Sequence, residues 1–164
     1  MNKYILSVLV ENHAGVLSKI SGLISRRGYN IHSLAVGITE NPDISRMTIV
    51  ILGDQYIYEQ INKQLNKLID VIKITELSSS RSVCRELALV KVETDIKTQP
   101  SIIDIVNIFR GNIIDLNNKN MTIEITGEEE KVSAFIELMK PFKIKEIART
   151  GITAIERGNK STEN

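Results

Sequence analysis

The hydrophobic pattern of this chain switches between a period of two and a period near 3.6 in a fixed order, then runs through that order a second time. Tyr4 to Glu11 alternates as a strand, with Leu6, Val8 and Val10 on one face and Ile5 and Leu9 on the other, and both faces are apolar enough to be covered. From Val16 the spacing becomes helical through Leu17, Ile20, Leu23 and Ile24, and Gly28 after Arg26 and Arg27 reads as a C-terminal stop. Strands follow over Ile31–Thr39 and Arg46–Leu52, then a helix over Tyr56–Leu68 and a strand over Val71–Leu77. The order βαββαβ predicts an α+β fold: a four-stranded antiparallel sheet with two helices on one face, the ferredoxin-like sandwich.

After the polar stretch SSSRS the grammar restarts. Glu86–Thr94 reads as a strand, Pro100–Phe109 as a helix with proline in its first turn, and Asn112–Leu116 and Met121–Thr126 as a strand pair. Glu129–Lys140 is the next helix, stopped by Pro141, and Ile144–Ile155 a last strand broken near Gly151. Letters repeat as well as periods: SRRGYNI parallels FRGNII, and TIVILGD parallels TIEITGE. Two tandem ferredoxin-like domains are the simplest account, with boundaries at 4–78 and 83–158, a linker at 79–82 and a flexible tail at 159–164.

Composition narrows the function. A formal net charge of +1 provides no field for a polyanion or an anionic membrane, and no apolar run reaches the roughly 18 residues of a membrane span. The single cysteine, Cys84, allows neither an internal disulfide nor a thiolate metal cage, which fits a reducing compartment. With two histidines, no nucleophile and base in a recognisable pattern, no phosphate loop and no metal-ligand spacing, the chain is not expected to be an enzyme. The βαββαβ grammar also serves RNA recognition, but RMTIVIL and NMTIEIT carry no aromatic residue for base stacking. No nucleic acid is expected.

One difference between the copies points to a site. NHAG, Asn12 to Gly15, sits between the first strand and the first helix, and the second copy has no counterpart to it. A helix start presents unpaired N–H groups and the positive end of the dipole, Gly15 permits close approach, and Asn12 both donates and accepts. A zwitterion with a carboxylate and an ammonium suits that chemistry. The residues equally fit a plain turn, in which Asn12 or His13 shapes the loop and Gly15 relieves backbone strain. Asn30, after the helix stop, either tolerates an unusual backbone angle or gives its amide to a neighbouring site.

From NHAGVLSKISGLISRRGYNIHSLAVG onward the chain resembles the regulatory small subunit of acetolactate synthase, also called acetohydroxyacid synthase. The likeness continues in the family's order through SRMTIVILGD, EQINKQLNKLIDVIKI, RELALVKV, IFRGNIIDL and KIKEIARTGITAIERG, essentially the whole chain. It implies that the first domain is an ACT domain, an amino-acid-binding ferredoxin-like module, followed by a second ferredoxin-like domain. It further implies a non-catalytic subunit that activates a large catalytic subunit and confers feedback inhibition by valine or another branched-chain amino acid. Thiamine diphosphate, Mg2+ and FAD belong, on this resemblance, to the catalytic partner, and none of them to this chain.

The ligand site implied by the resemblance lies where two ACT domains meet in a homodimer. Asn12, His13, Ala14, Gly15 and Val16 of one protomer would face Asn30 and Ile31 of its partner, with Asn12 and the N–H groups of Gly15 and Val16 holding the amino-acid backbone. The family often has an acidic or polar residue where this chain has His13. The alternative reading is a tandem ACT sensor that regulates another enzyme or a transcription factor. Either way the chain fits the cytoplasm of a bacterium, or the plastid stroma if organelle-encoded.

Overall fold

The structure, a computed structural model, describes residues 2–78 and 80–158. The expected tail at 159–164 lies outside the described residues. Contacts divide the chain into a first unit, running to Val83 and resuming at Ile152, and a second unit, Cys84–Gly151.

In the first unit β1 (Asn2–Glu11), α1 (Val16–Ser25), β2 (Ile31–Ile38), β3 (Ile44–Gly53), α2 (Gln55–Leu65) and β4 (Val71–Glu76) follow in the expected order. The sheet order is β2-β3-β1-β4, with every pairing antiparallel. Leu6, Val8 and Val10 of β1 join Ile20 and Ile24 of α1 and Ile61 and Leu65 of α2 in one buried cluster. The alternate face is covered too: Ile5, Ser7 and Leu9 are buried. Tyr4 stacks on Tyr58 at 4.9 Å between ring centroids, tying β1 to α2. The helix α2 is shorter than its apolar spacing suggests, because Leu68 turns back to donate its N–H to the Leu65 carbonyl.

The second unit repeats the plan with β5 (Ser82–Glu93), α3 (Gln99–Ile108), β6 (Asn112–Leu116), β7 (Asn120–Gly127), α4 (Glu129–Met139) and β8 (Ile144–Arg149), in the sheet order β6-β7-β5-β8. Its core gathers Val90, Val92, Ile102, Ile123, Val132 and Phe135, all buried. Pro141 lies in a 3-10 turn over Lys140–Phe142, which closes α4.

The end of the expected linker differs from the sequence reading, whereas the break near Gly151 follows it. Ser82, expected in the linker, is the first residue of β5 and is buried. The last strand breaks at Gly151, whose φ of 76° is left-handed, into β8 and a short β9 (Thr153–Glu156). By contacts the residues from Ile152 group with the first unit, while β9 pairs with β5. There the N–H of Ile152 donates to Ser33 Oγ at 3.0 Å, and Ile152 and Ala154 are buried. Because β3 and β4 occupy the edges of β1 and the helices its other face, β9 meets β1 on the face of Ile5, Ser7 and Leu9.

The repeated letters have unequal meanings. Gly53 and Gly127 end β3 and β7 at the same point of each copy, and a Cβ on either would collide with the residue four places on, Ile57 or Lys131. That is a shared close approach of helix and strand. In the other pair, the left-handed residue after the helix is Gly28 in the first copy but Arg110, with φ of 53°, in the second.

Candidate functional site

The loop from Asn12 to Gly15 leaves the end of β1 and starts α1 with Gly15 at φ 92°, a left-handed N-cap without a side-chain hydrogen bond. A Cβ on Gly15 would meet no atom within 4 Å, so the space in front of the helix start is open. The starts of α2 and α4 carry carboxylates. Asp54 Oδ1 accepts from the N–H of Ile57 at 2.9 Å and caps α2, while α4 opens with Glu129 and Glu130. Leading into α3, Asp95 Oδ1 accepts from the N–H groups of Lys97 and Thr98 at 2.9 and 2.8 Å. Those donors hold the Asp95 carboxyl below its ordinary range, the Thr98 N–H foremost. α3 too lacks a side-chain cap and a first-turn acid, but Asp95 bonds the N–H groups just before it, whereas α1 has neither a cap nor an acidic residue in its first turn. An external carboxylate fits there.

Asn12 is held rather than loose. Its Nδ2 donates to the Pro42 carbonyl at 2.8 Å, its Oδ1 accepts from Ser45 Oγ at 3.0 Å, and its backbone N–H donates to the Asp43 carbonyl at 2.7 Å. An amide has two donors and two acceptor lone pairs, so one of each is left to offer a ligand. Ala14 is exposed, and Val16 buries its side chain in the core while its N–H makes a long bond to the His13 carbonyl at 3.5 Å.

His13 turns into a cluster that the sequence does not reveal. Its Nε2 lies 3.0 Å from Asp70 Oδ1 and 3.4 Å from Glu11 Oε2, and its Nδ1 lies 3.1 Å from the Ala14 carbonyl. Lys19 Nζ donates to the other Asp70 oxygen at 2.7 Å. The Asp70 side chain is 7% exposed, against 46% for His13 and 51% for Lys19. Hydrogen bonding to the Ala14 carbonyl, then to Asp70, raises the His13 pKa above its ordinary 6.5, and Lys19 above all lowers that of Asp70. Donor atoms of Glu11, His13 and Asp70 fall within 4.8 Å of one another, although the sequence spacing suggests no metal cluster. The Lys19 ammonium already places a cation on Asp70. The one trace of this cluster in the sequence is Asp70 itself, a lone carboxylate in the apolar run LIDVI.

Asn30 and Ile31 stand at the far end of α1, roughly 15 Å from Gly15 by the length of ten helical residues. Asn30 is exposed and Ile31 half-buried. A single chain therefore does not bring the two halves of the expected site together.

Comparison with known proteins gives the family. Residues 6–73 match the AHAS small subunit-like ACT domain, and residues 85–158 match the small subunit of acetolactate synthase. The chain belongs to the acetolactate synthase small-subunit family. A probable acetolactate synthase small subunit of Archaeoglobus fulgidus is 52% identical over 158 residues, spanning 96% of this chain and 99% of the relative. The acetolactate synthase small subunit of Mycolicibacterium smegmatis is 52% identical over 153 residues, spanning 93% and 90%. Among solved structures, the acetolactate synthase small subunit from Thermotoga maritima matches with a TM-score of 0.91 at 44% identity, over 98% of this chain and all of that one.

In this small-subunit chain the ACT match covers the unit that carries the open helix start. The other unit has two surface clefts, of about 580 and 740 Å3, beside Thr94 and Asp95. Their charges are largely spent internally: Glu93 pairs with Lys143 at 3.0 Å and also with Lys145, and Asp95 fills the approach to α3. No described helix is long and apolar enough to cross a membrane.

Proposed function

We propose that this chain is a non-catalytic subunit that raises the activity of the large catalytic subunit of acetolactate synthase and confers feedback inhibition by a branched-chain amino acid, valine first. The observation that carries the ligand reading is the bare start of α1 at Gly15, where α2 and α4 carry a carboxylate at the start and Asp95 bonds the N–H groups just before α3. The ligand carboxylate sits on the N–H groups of Gly15 and Val16, with Asn12 beside it. In the same reading thiamine diphosphate, Mg2+ and FAD are carried by the catalytic partner.

The site is shared by two protomers. The edge strand β2 leaves one side unpaired and exposes Val36 and Ile38 at 47% and 68%. Ile38 is in register with Ser45, which bonds Asn12, so the end of β2 lies by the loop and its start lies roughly 25 Å away. Antiparallel pairing of two β2 edges sets the start of one strand against the end of the other. Asn30 and Ile31 of the second protomer are thereby carried to the Asn12–Gly15 loop of the first, and the apolar side chains there receive the branched side chain.

Ligand at such a junction biases the relative placement of the two protomers, and with it the surface offered to the catalytic subunit. A thermal melt with and without saturating valine tests the reading, with leucine, isoleucine and alanine for comparison. At a hundredfold excess over Kd, binding adds ~2.7 kcal/mol and raises the midpoint by several degrees. No shift with any of the four, for the free chain and for its complex with the catalytic subunit, refutes it.

A further inference from the structure

We infer that Asp70 is the positioning residue of the amino-acid loop, and that through His13 it ties ligand binding to the uptake of a proton. The inference rests on the ligand reading above and adds to it the charge state in which the loop binds.

The geometry sets the argument. Both ring nitrogens of His13 face acceptors: Nδ1 the Ala14 carbonyl at 3.1 Å, and Nε2 the Asp70 and Glu11 carboxylates at 3.0 and 3.4 Å. Only the imidazolium donates from both nitrogens, so only the protonated ring makes both bonds at once. A neutral ring keeps one and leaves the other as two acceptors in opposition. Asp70 is the fixed point of the set, because its side chain is almost fully buried and the backbone N–H of Glu11 donates to its carbonyl at 2.9 Å. It thus clamps the loop from β4, while Lys19 clamps it from α1 at 2.7 Å.

Charge acts in the same direction. The groups facing His13 are Glu11 on β1, Asp70 before β4 and, across Asp70, Lys19 on α1. With a neutral ring the cluster carries one net negative charge two residues from Gly15, and with an imidazolium it carries none. An amino-acid carboxylate approaching the start of α1 is repelled by the first state and not by the second. By linkage, bound ligand favours protonation as much as protonation favours ligand. Each ligand bound takes up a fraction of one proton, largest where the free ring is mostly neutral.

Calorimetric titration of the full chain with valine, across pH and in buffers of different ionisation enthalpy, tests this directly. The affinity of the wild type is expected to weaken severalfold as pH rises through the His13 titration, with proton uptake on binding in that range. His13→Gln keeps a polar ring-sized group without titration and should bind with a pH-independent Kd. Asp70→Asn keeps the shape and the Lys19 contact, and should move the pH dependence to lower pH, in step with the His13 imidazole resonance measured by NMR without ligand. Valine binding that is flat in pH for the wild type overturns the inference and leaves the ligand site standing. A pH dependence that survives His13→Gln overturns it as well. Valine bound undiminished by Gly15→Asp instead rejects the site, and the inference with it.

Discussion

His13 and Asp70, separated by 57 residues, meet at 3.0 Å beside the open start of α1, and Lys19 completes the cluster at 2.7 Å from the second carboxylate oxygen. The contact joins the candidate ligand loop to the turn before β4, so the electrostatics of the loop are set outside it.

The pH dependence of stability follows from the two shifts. The raised His13 pKa gives a contribution that is fully present below 6.5 and is lost as pH rises through the folded value above it. The lowered Asp70 pKa gives one that is present above 3.8 and is lost as pH falls through the folded value below it. Both act together between those limits. Urea midpoints of wild type and His13→Gln should therefore differ most below pH 6.5 and converge as pH rises through the folded His13 value. A difference that grows toward alkaline pH would contradict the sign.

Gly15→Asp and Gly15→Ala separate strain from charge. At φ 92° either side chain costs roughly 1–2 kcal/mol of stability, and a Cβ there crowds no residue beyond its chain neighbours. Only aspartate sets a carboxylate where the ligand carboxylate must sit, so similar melting points with valine binding lost only in Gly15→Asp are expected. Chemical denaturation and calorimetry check the two halves separately.

Asn12→Ala should act on the loop as well as on the ligand. It removes partners from Pro42 and Ser45, and a loss of about 1–2 kcal/mol in stability is expected along with weaker valine binding. Asn30→Ala, at an exposed position, should leave stability nearly unchanged and weaken binding by ~0.5–1.5 kcal/mol. Melting curves that fall equally for both variants would show that Asn12 is not the brace described here.

The paired glycines at the strand ends should respond unequally to alanine. At Gly53 the new Cβ lies 3.0 Å from Ile57 Cβ and Cγ2, atoms fixed close to the helix backbone, and a cost of about 1–3 kcal/mol is expected. At Gly127 its tightest contact is the outer Cδ of Lys131, a flexible chain that can swing aside, and the cost should be under about 1 kcal/mol. Urea unfolding of both variants measures the difference.

Most of the architecture was legible in the letters because hydrophobic period is a local property. Alternation in β1 and helical spacing in α1 require only near neighbours to be read, and the repeated TIVILGD and TIEITGE mark the same strand-to-helix joint in each copy. Distant contacts were not legible: the Ile152 N–H bonds Ser33 and β9 touches β1, contacts that no local pattern encodes.

For the candidate site, the sequence by itself determined the helix start, the left-handed glycine and the contrast between NHAG and the second copy, since each rests on adjacent residues. Only the tertiary structure decided what surrounds them. The order β2-β3-β1-β4 sets β4 beside β1, and the register of Val10 with Val71 carries Asp70 to the loop. The same order leaves β2 on an open edge. Charge partners and unpaired edges are properties of sheet order, and sheet order is fixed by burial of the whole core.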